Sequence, residues 1–461
     1  MQFVDRLNEI STLEKEYQRD KASMVVIYGR RRVGKTELIR RFIQGKPAFY
    51  FLATEEAEAM NREAFQHQVA LFLGNDLLHD AVLERWEPIF QQLVNAVGNE
   101  RMVLVIDEFQ YLGKNNPAFL SVFQRIWDMI LSKSNIMLIL CGSLVSMMMS
   151  QTLNYDSPLY GRRTAQIRLR PIGFTYYHEF FDWTMSEAEL VKRFSLTGGV
   201  PKYIEMFQKS RDLSETVCNS LLNPSSYLFD EPNFLLQKEV TDIGSYFSIL
   251  RVIADGNSKP SKIAALMQQK QTNLPRYFKV LMDLDLLERE VPVTESTPEK
   301  SKKGMYRIKD NFIRFWFKYI YPNRSYIEMG HSDVVLNMLA KNFIDGHVSF
   351  VYEQICQEKL WELSAKGKLP CFVSRVGKWW DGSHEIDVVG ISEVDDVLIL
   401  GECKFWTGCV GLNVLSQLEQ KAAFIDWHIE SRRTVYMIFS INGYTKELME
   451  VAASREDVIL A

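Results

Sequence analysis

GRRRVGKTELIR, residues Gly29 to Arg40, stands directly after the apolar run Met24-Val25-Val26-Ile27-Tyr28. Gly29 and Gly34 bound a loop whose backbone N–H groups can turn inward around phosphate. Lys35 is placed to neutralise the β- and γ-phosphates, and the Thr36 hydroxyl to ligate Mg²⁺. The apolar run reads as a buried strand and the segment from about Lys35 as a helix, whose N-terminus adds to the anion site. Gly29, Arg30, Arg31, Arg32, Val33, Gly34, Lys35, Thr36 and Glu37 are therefore candidate residues for binding ATP. The three arginines read as a local positive field with exposed side chains, not as a DNA-binding run.

Three more apolar runs follow: Ala48–Leu52, Met102–Ile106 and Ile136–Leu140. Continuous apolar strands alternating with helices imply a parallel sheet covered on both faces. The third run ends in Asp107-Glu108. An acid at that strand edge lies beside the phosphate loop and can hold the Mg²⁺ shell, which is the role expected of Asp107. Glu108 is the candidate base that orients and deprotonates the attacking water. The fourth run ends at Cys141-Gly142-Ser143.

At 461 residues the chain calls for two to four domains. Its 47% hydrophobic and 24% charged residues suit a soluble globular protein. A net charge of −4 excludes a global pull toward nucleic acid and leaves only local basic patches. Six cysteines without CxxC spacing fit free thiols in a reducing cytoplasm better than disulfides or zinc. No stretch reaches the ~18 to 20 apolar residues of a membrane span.

From about residue 176 the pattern turns helical, broken at Thr197-Gly198-Gly199-Val200-Pro201. Helices at 243–254, 260–268 and 274–287 follow. Glu290–Val293 and Met305–Ile308 then flank a lysine-rich loop, the layout of a winged helix. Asn273, Arg276, Tyr277 and Lys279 would meet a groove of double-stranded DNA, and Lys300, Lys302 and Lys303 its phosphates. Asp283, Asp285 and Glu288 oppose DNA, so an internal joint is the alternative. The spacing of Phe312, Phe315, Trp316 and Tyr319 favours a packed helical face over a base-stacking platform.

Strands are expected at 371–376, 385–391, 397–403 and 434–439, with a helix at about 411–426. Asp387 opens one of these strands and Glu402-Cys403-Lys404 closes its partner. Alternation puts Glu402 and Lys404 on one face. Asp387 and Glu402 are candidate Mg²⁺ ligands, and Lys404 would position or activate water for attack on a phosphodiester. Gly401 would allow close approach of substrate or metal.

The succession GRRRVGKTEL, VLVIDEFQYL, LILCGSLVSMM, SPLYGRRTAQIRLRPIGF and TGGVPKYI resembles the archaeal-type ATPase family. That family lies within the AAA+/STAND group of P-loop ATPases and is also found in bacteria. By that resemblance Phe3–Glu9 forms a box near the adenine, and Ser143 takes the sensor position beside the γ-phosphate. Either Arg162 or Arg163 would supply an arginine finger, in cis or toward a neighbouring subunit, and Pro201 belongs to the turn closing a helical lid over the base. The segment from Lys309 resembles the junction to that family's C-terminal domain of unknown function. Asp387, Glu402 and Lys404 resemble the PD-(D/E)xK nuclease core, with Glu353 as the added helical glutamate and Gln417 as the polar position on the following helix.

The expected organisation is an α/β P-loop core over 1–185 and a helical lid over 186–240. A winged helix follows over 241–325, then a restriction-endonuclease-like α/β domain over 326–461. The expected activity is Mg-ATP hydrolysis coupled to a DNA-directed nuclease-like domain. The alternatives are a non-cleaving nucleotide switch or scaffold that binds a protein partner, and a DNA-binding regulator acting through the winged helix. A homo-oligomer is a further expected partner state, and a membrane is not expected.

Overall fold

The computed structural model describes residues 3–461, which form two compact units. The first runs through Ile172 and adds Val200–Glu205 and Asn233–Thr241; the second holds Gly173–Gly199, Met206–Pro232 and Asp242–Ala461. The lid segment expected at 186–240 is therefore shared between them. The helix Glu187–Thr197 goes with the second unit and Pro201 with the first.

In the first unit five strands, β1 (Ser23–Tyr28), β2 (Ala48–Leu52), β3 (Met102–Asp107), β4 (Ile136–Gly142) and β5 (Ala165–Arg168), pair in parallel in the order β2-β3-β4-β1-β5. Every residue of β1, β3 and β4 is buried, because helices cover both faces. Tyr28 lies opposite Gly142 and Ile106 opposite Leu140. The loops leaving β1, β3 and β4 thus open at one sheet edge, where α/β sheets place their ligands. β5 escapes a reading of the sequence because its four residues mix Gln166 and Arg168 with one buried side chain, Ile167.

In the second unit the helices Ile243–Ala254, Pro260–Leu266 and Leu274–Asp283 precede an antiparallel hairpin of β6 (Leu287–Glu290) and β7 (Met305–Ile308). The third helix stops four residues before its expected end. Asp285 takes a left-handed φ of 57° there and the chain turns into β6. Tyr277 does not face a groove: it is buried and its hydroxyl donates to Asp242 Oδ2 at 3.1 Å. Asn273, Arg276, Lys279, Lys300 and Lys302 are exposed, while Lys303 is tied to Glu295 at 2.8 Å. Phe312, Phe315, Trp316 and Tyr319 are buried, and the Trp316 indole N–H donates to the Phe229 carbonyl at 2.8 Å. Their helix ends in a π turn over Trp316–Ile320.

The C-terminal sheet comprises β8 (Arg375–Trp380), β9 (Glu385–Ser392), β10 (Val397–Lys404), β11 (Arg433–Ser440) and β12 (Val458–Leu460), ordered β12-β11-β10-β9-β8. β9 is antiparallel to β8 and β10, while β10, β11 and β12 run parallel. Pairing of β8 begins at Arg375, opposite Ile391, so the strand expected at 371–376 lies further along the chain. The apolar residues before it pack without a ladder: the Val373 N–H donates to Ser364 Oγ at 3.0 Å. The helices Ser349–Ala365 and Leu412–Ala422 pack on this sheet.

Candidate functional site

Gly29 and Gly34 are glycines for local reasons. A Cβ on Gly29 would run into the carbonyl oxygen of Leu169, and Gly34 has a φ of 95°. Within the loop the Lys35 ammonium is buried and donates to the carbonyls of Gly29 and Arg30 at 2.7 and 2.9 Å. Burial lowers its pKa, opposed by Cys141, Glu108, Asp107 and Glu239. It is thus a desolvated cation poised at the loop, the setting in which a phosphate is held most strongly.

The arginines are not exposed as expected. Arg30 is buried, and Arg31 and Arg32 are half-buried, with Arg31 donating to the Tyr111 hydroxyl at 3.3 Å. Burial lowers the pKa of Arg32, opposed by the neighbouring Tyr203. Glu37 is exposed on the first turn of the helix. Pro201 stands at the loop, its Cγ 3.9 Å from where a Cβ of Gly34 would be.

Thr36 Oγ1 lies 3.3 Å from Asp107 Oδ2, which also accepts from the Tyr50 hydroxyl at 2.5 Å. That hydroxyl and carboxylate are oxygen donors of the kind Mg²⁺ prefers, side by side at the strand edge. Glu108 follows with a left-handed φ of 51°, uncommon for a non-glycine residue. The turn directs its carboxylate onto Ser143, whose hydroxyl donates at 2.8 and 2.9 Å and whose N–H donates at 3.3 Å. The Gln110 amide donates to the same carboxylate. The structure thus brings Lys35, Thr36, Asp107, Glu108 and Ser143 to one edge.

It does not bring Arg162 and Arg163 there. They precede Thr164, whose N–H donates to the Met24 carbonyl at 2.7 Å, near the start of β1. The phosphate loop leaves the other end of β1, about 17 Å away along the strand. Arg162 is held there by Asp128, with two N–H groups at 2.8 and 2.9 Å. A cis finger is excluded by this separation, and only action toward a second subunit is compatible with it. Accordingly, Arg162→Ala should leave ATP hydrolysis by dilute protein within about twofold of the parent. A tenfold fall at concentrations where the protein is monomeric would contradict this placement.

Two residues here were not singled out by the sequence, Arg6 within the Phe3–Glu9 box and Glu239. Arg6, with a φ of 75°, donates to the carbonyls of Val33 at 3.2 Å and Arg170 at 2.6 Å, tying the N-terminal box to the phosphate loop. Glu239 arrives from a distant segment and accepts from the Val145 N–H at 3.2 Å. Burial pushes its pKa up to about 7, against the pull of the Val145 N–H, Arg31 and Lys35. The folded state therefore holds a proton at Glu239 between about pH 4.5 and 7 that the unfolded chain releases. This contribution is full below that window and is lost as the pH rises through 7. Glu239→Gln, whose amide oxygen still accepts from Val145, should raise the Tm at pH 8 and converge with the parent near pH 4.5. The gain corresponds to up to about 3 kcal/mol, and equal melting at pH 8 would refute it.

In the C-terminal sheet, Glu402 and Lys404 share a face of β10 and join at 2.8 Å. Glu402 is buried, and Lys421 from the helix Leu412–Ala422 reaches its other oxygen at 3.0 Å. Asp387 Oδ2 accepts from the Cys403 N–H at 3.0 Å. Burial pushes the Asp387 carboxyl up to about 7, reinforced by Glu353 and Glu402. Glu353 in turn pairs with the buried Lys378. The four expected residues therefore form one electrostatic cluster, to which Lys378 and Lys421 are additions the sequence did not flag. Among the described residues no three acidic, His or Cys side chains converge as a metal site. Lysines engage Glu353 and Glu402 instead.

Gln417, one helical turn before Lys421, is exposed. Gly401 has a packing reason: a Cβ there would meet Val388 Cβ at 3.0 Å and Phe439 at 3.1 Å. Alternation puts that position on the face opposite Glu402. The expectation that Gly401 clears space for substrate is therefore replaced by close strand packing.

Residues 3–207 match the family model of an ATPase domain predominantly from Archaea. Residues 316–422 match that of archaeal and bacterial proteins of unknown function. An uncharacterized protein of Methanocaldococcus jannaschii is 35% identical over 403 residues, 87% of each chain. An uncharacterized ATP-binding protein of the same organism is 48% identical over 44 residues, 10% of this chain and 75% of its own. A Walker-type ATPase of Pyrococcus abyssi superposes with a TM-score of 0.53 at 20% identity, covering 68% of this chain and 96% of that one, a likeness of fold. No helix among the described residues is long and apolar enough to cross a membrane. With these matches over residues 3–207 and 316–422, and a relative 35% identical over 87% of each chain, the chain belongs to the archaeal-type ATPase family and is an ATP-binding P-loop ATPase.

Proposed function

We propose that ATP turnover in the first unit controls a phosphodiester-directed centre in the second, with double-stranded DNA as its substrate. Bound Mg²⁺ would supply charge neutralisation at the phosphates, next to Thr36 and Asp107 in one site and Asp387 and Glu402 in the other. Glu108 then orients and deprotonates the attacking water, Ser143 and Gln110 fix its carboxylate, and Lys35 holds the β/γ-phosphate charge. Arg162 and Arg163 act, on this reading, on a neighbouring copy in a homo-oligomer.

The observation that carries the nuclease-like reading is the electrostatic coupling of Asp387 to Glu353 and Glu402, which adds to burial in pushing its carboxyl up to about 7, beside the Lys404–Glu402 pair at 2.8 Å. Lys404 sits where it can position water beside the two carboxylates. Exposed Arg276, Lys279, Lys300 and Lys302 are the side chains available for backbone phosphates. The test is cleavage of linear duplex DNA by the full chain with Mg²⁺ or Mn²⁺, with and without ATP. Metal-dependent cleavage that disappears in Lys404→Ala supports the reading, and no cleavage with either metal overturns it.

A second reading is favoured by the lysines on the carboxylates. Lys404 and Lys421 hold Glu402, and Lys378 holds Glu353, which suits a nucleotide switch that binds a partner and cuts nothing. Retention of all other properties in Asp387→Ala and Lys404→Ala, with no metal bound outside the phosphate loop, would select it.

A further inference from the structure

The second unit contains a cavity of about 680 Å³, lined by five cations and two carboxylates, that shares only Lys378 with the C-terminal cluster. Its volume is in the range that holds a nucleotide-sized ligand. Two of the cations are already satisfied: Arg307 pairs with Glu290 at 2.7 Å, and Lys378 with Glu353. Among the described residues Arg314, Lys318 and Lys341 have no carboxylate within ion-pair distance. The guanidinium of Arg314 lies over the Phe350 ring at 4.1 Å, and the Lys318 ammonium donates only to the Gly346 carbonyl at 2.6 Å. Lys341 and Met338 stand exposed on the helix Ser332–Phe343, at the mouth.

Five cations against the two carboxylates Asp255 and Glu290 leave an excess of positive charge in a concave, partly desolvated site, which is costly unless an anion completes it. Burial, then the neighbouring Arg314, moves Lys318 below its ordinary pKa against the pull of Asp255, and burial lowers Arg314 to about 10 against the pull of Glu353. Beside these cations the lining offers Met338, a pliable thioether, and the partly exposed ring of Phe350, one face of which Arg314 covers. We propose that this cavity binds a small nucleotide-class ligand, its phosphate on Arg314, Lys318 and Lys341 and its planar base against Phe350 and Met338. This site is separate from the phosphate loop and does not depend on the cleavage reading of Asp387, Glu402 and Lys404.

The test uses the full chain carrying Lys35→Ala, which silences the phosphate loop, titrated with AMP and with inorganic phosphate in a calorimeter. AMP should bind saturably at about one per chain, at least tenfold more tightly than phosphate. Lys318→Ala and Lys341→Glu should each weaken it at least tenfold. Because Lys341 is exposed at the rim, its variant tests the site even if a change at Arg314 disturbs folding. With the phosphate loop intact, both variants should keep ATP hydrolysis within about twofold, which shows that they fold. Absence of saturable AMP binding overturns the proposal, as does phosphate binding as tight as AMP or AMP affinity unchanged in both variants.

Discussion

Glu108→Gln is expected to lower kcat for ATP by about 10²- to 10⁴-fold while ATP affinity stays within a few-fold. The glutamine keeps the shape of the side chain and can still accept from the Ser143 hydroxyl, so the pocket is preserved. What it loses is the base. Ser143 and Gln110 converge on this carboxylate, and its left-handed φ of 51° is maintained at a cost the chain would not otherwise bear. Steady-state hydrolysis together with nucleotide binding by the same variant separates the two effects. Equal fold-losses in kcat and in ATP affinity would show that Glu108 serves binding instead. Unchanged kcat would remove it from the mechanism. Ser143→Ala should show a smaller fall in kcat, about tenfold, because the Gln110 amide and the Ser143 N–H still hold Glu108.

The phosphate loop and the acidic strand end were legible because each is local. Gly29, Gly34, Lys35 and Thr36 lie within eight residues, and Asp107-Glu108 ends a strand whose every residue is buried. The direction of Arg162 was not legible. It depends on β5, a short mixed strand at the sheet edge, running parallel to β1 so that residues before it lie at the far end. Glu239 was illegible for another reason: nothing in Leu236-Gln237-Lys238-Glu239 tells that a chain segment 94 residues beyond Val145 returns to it. At the C-terminal sheet, alternation along β10 placed Glu402 and Lys404 together. It could not reveal Lys378, which comes from β8 paired beside β9 and engages Glu353, or Lys421, which a helix packed on the sheet brings to Glu402. The three helices and the hairpin of β6 and β7 were readable from their pattern, but Tyr277 was assigned outward on its position alone, whereas Asp242 draws it in.

The lysines around Glu402 lead to opposite expectations for neighbouring substitutions. Asp387→Ala should abolish metal-dependent cleavage and lower Mn²⁺ affinity at this site about 100-fold, because one of two carboxylate donors is gone. Lys421→Ala should do the reverse. The ammonium 3.0 Å from Glu402 Oε2 competes with a divalent cation for the same oxygen, so its removal frees a donor and should strengthen Mn²⁺ binding about tenfold. Lys404→Ala also frees a Glu402 oxygen, yet it should remove cleavage, because Lys404 is the group assigned to water. Equilibrium dialysis of Mn²⁺ without nucleotide, paired with DNA cleavage, reads all three. If Lys421→Ala and Lys404→Ala both leave Mn²⁺ affinity unchanged and Asp387→Ala cleaves like the parent, the cluster is a structural ion network. Tighter Mn²⁺ in Lys404→Ala with its cleavage intact would assign the water to another base. Tighter Mn²⁺ together with lost cleavage identifies a centre that its own lysines hold closed until metal and substrate displace them.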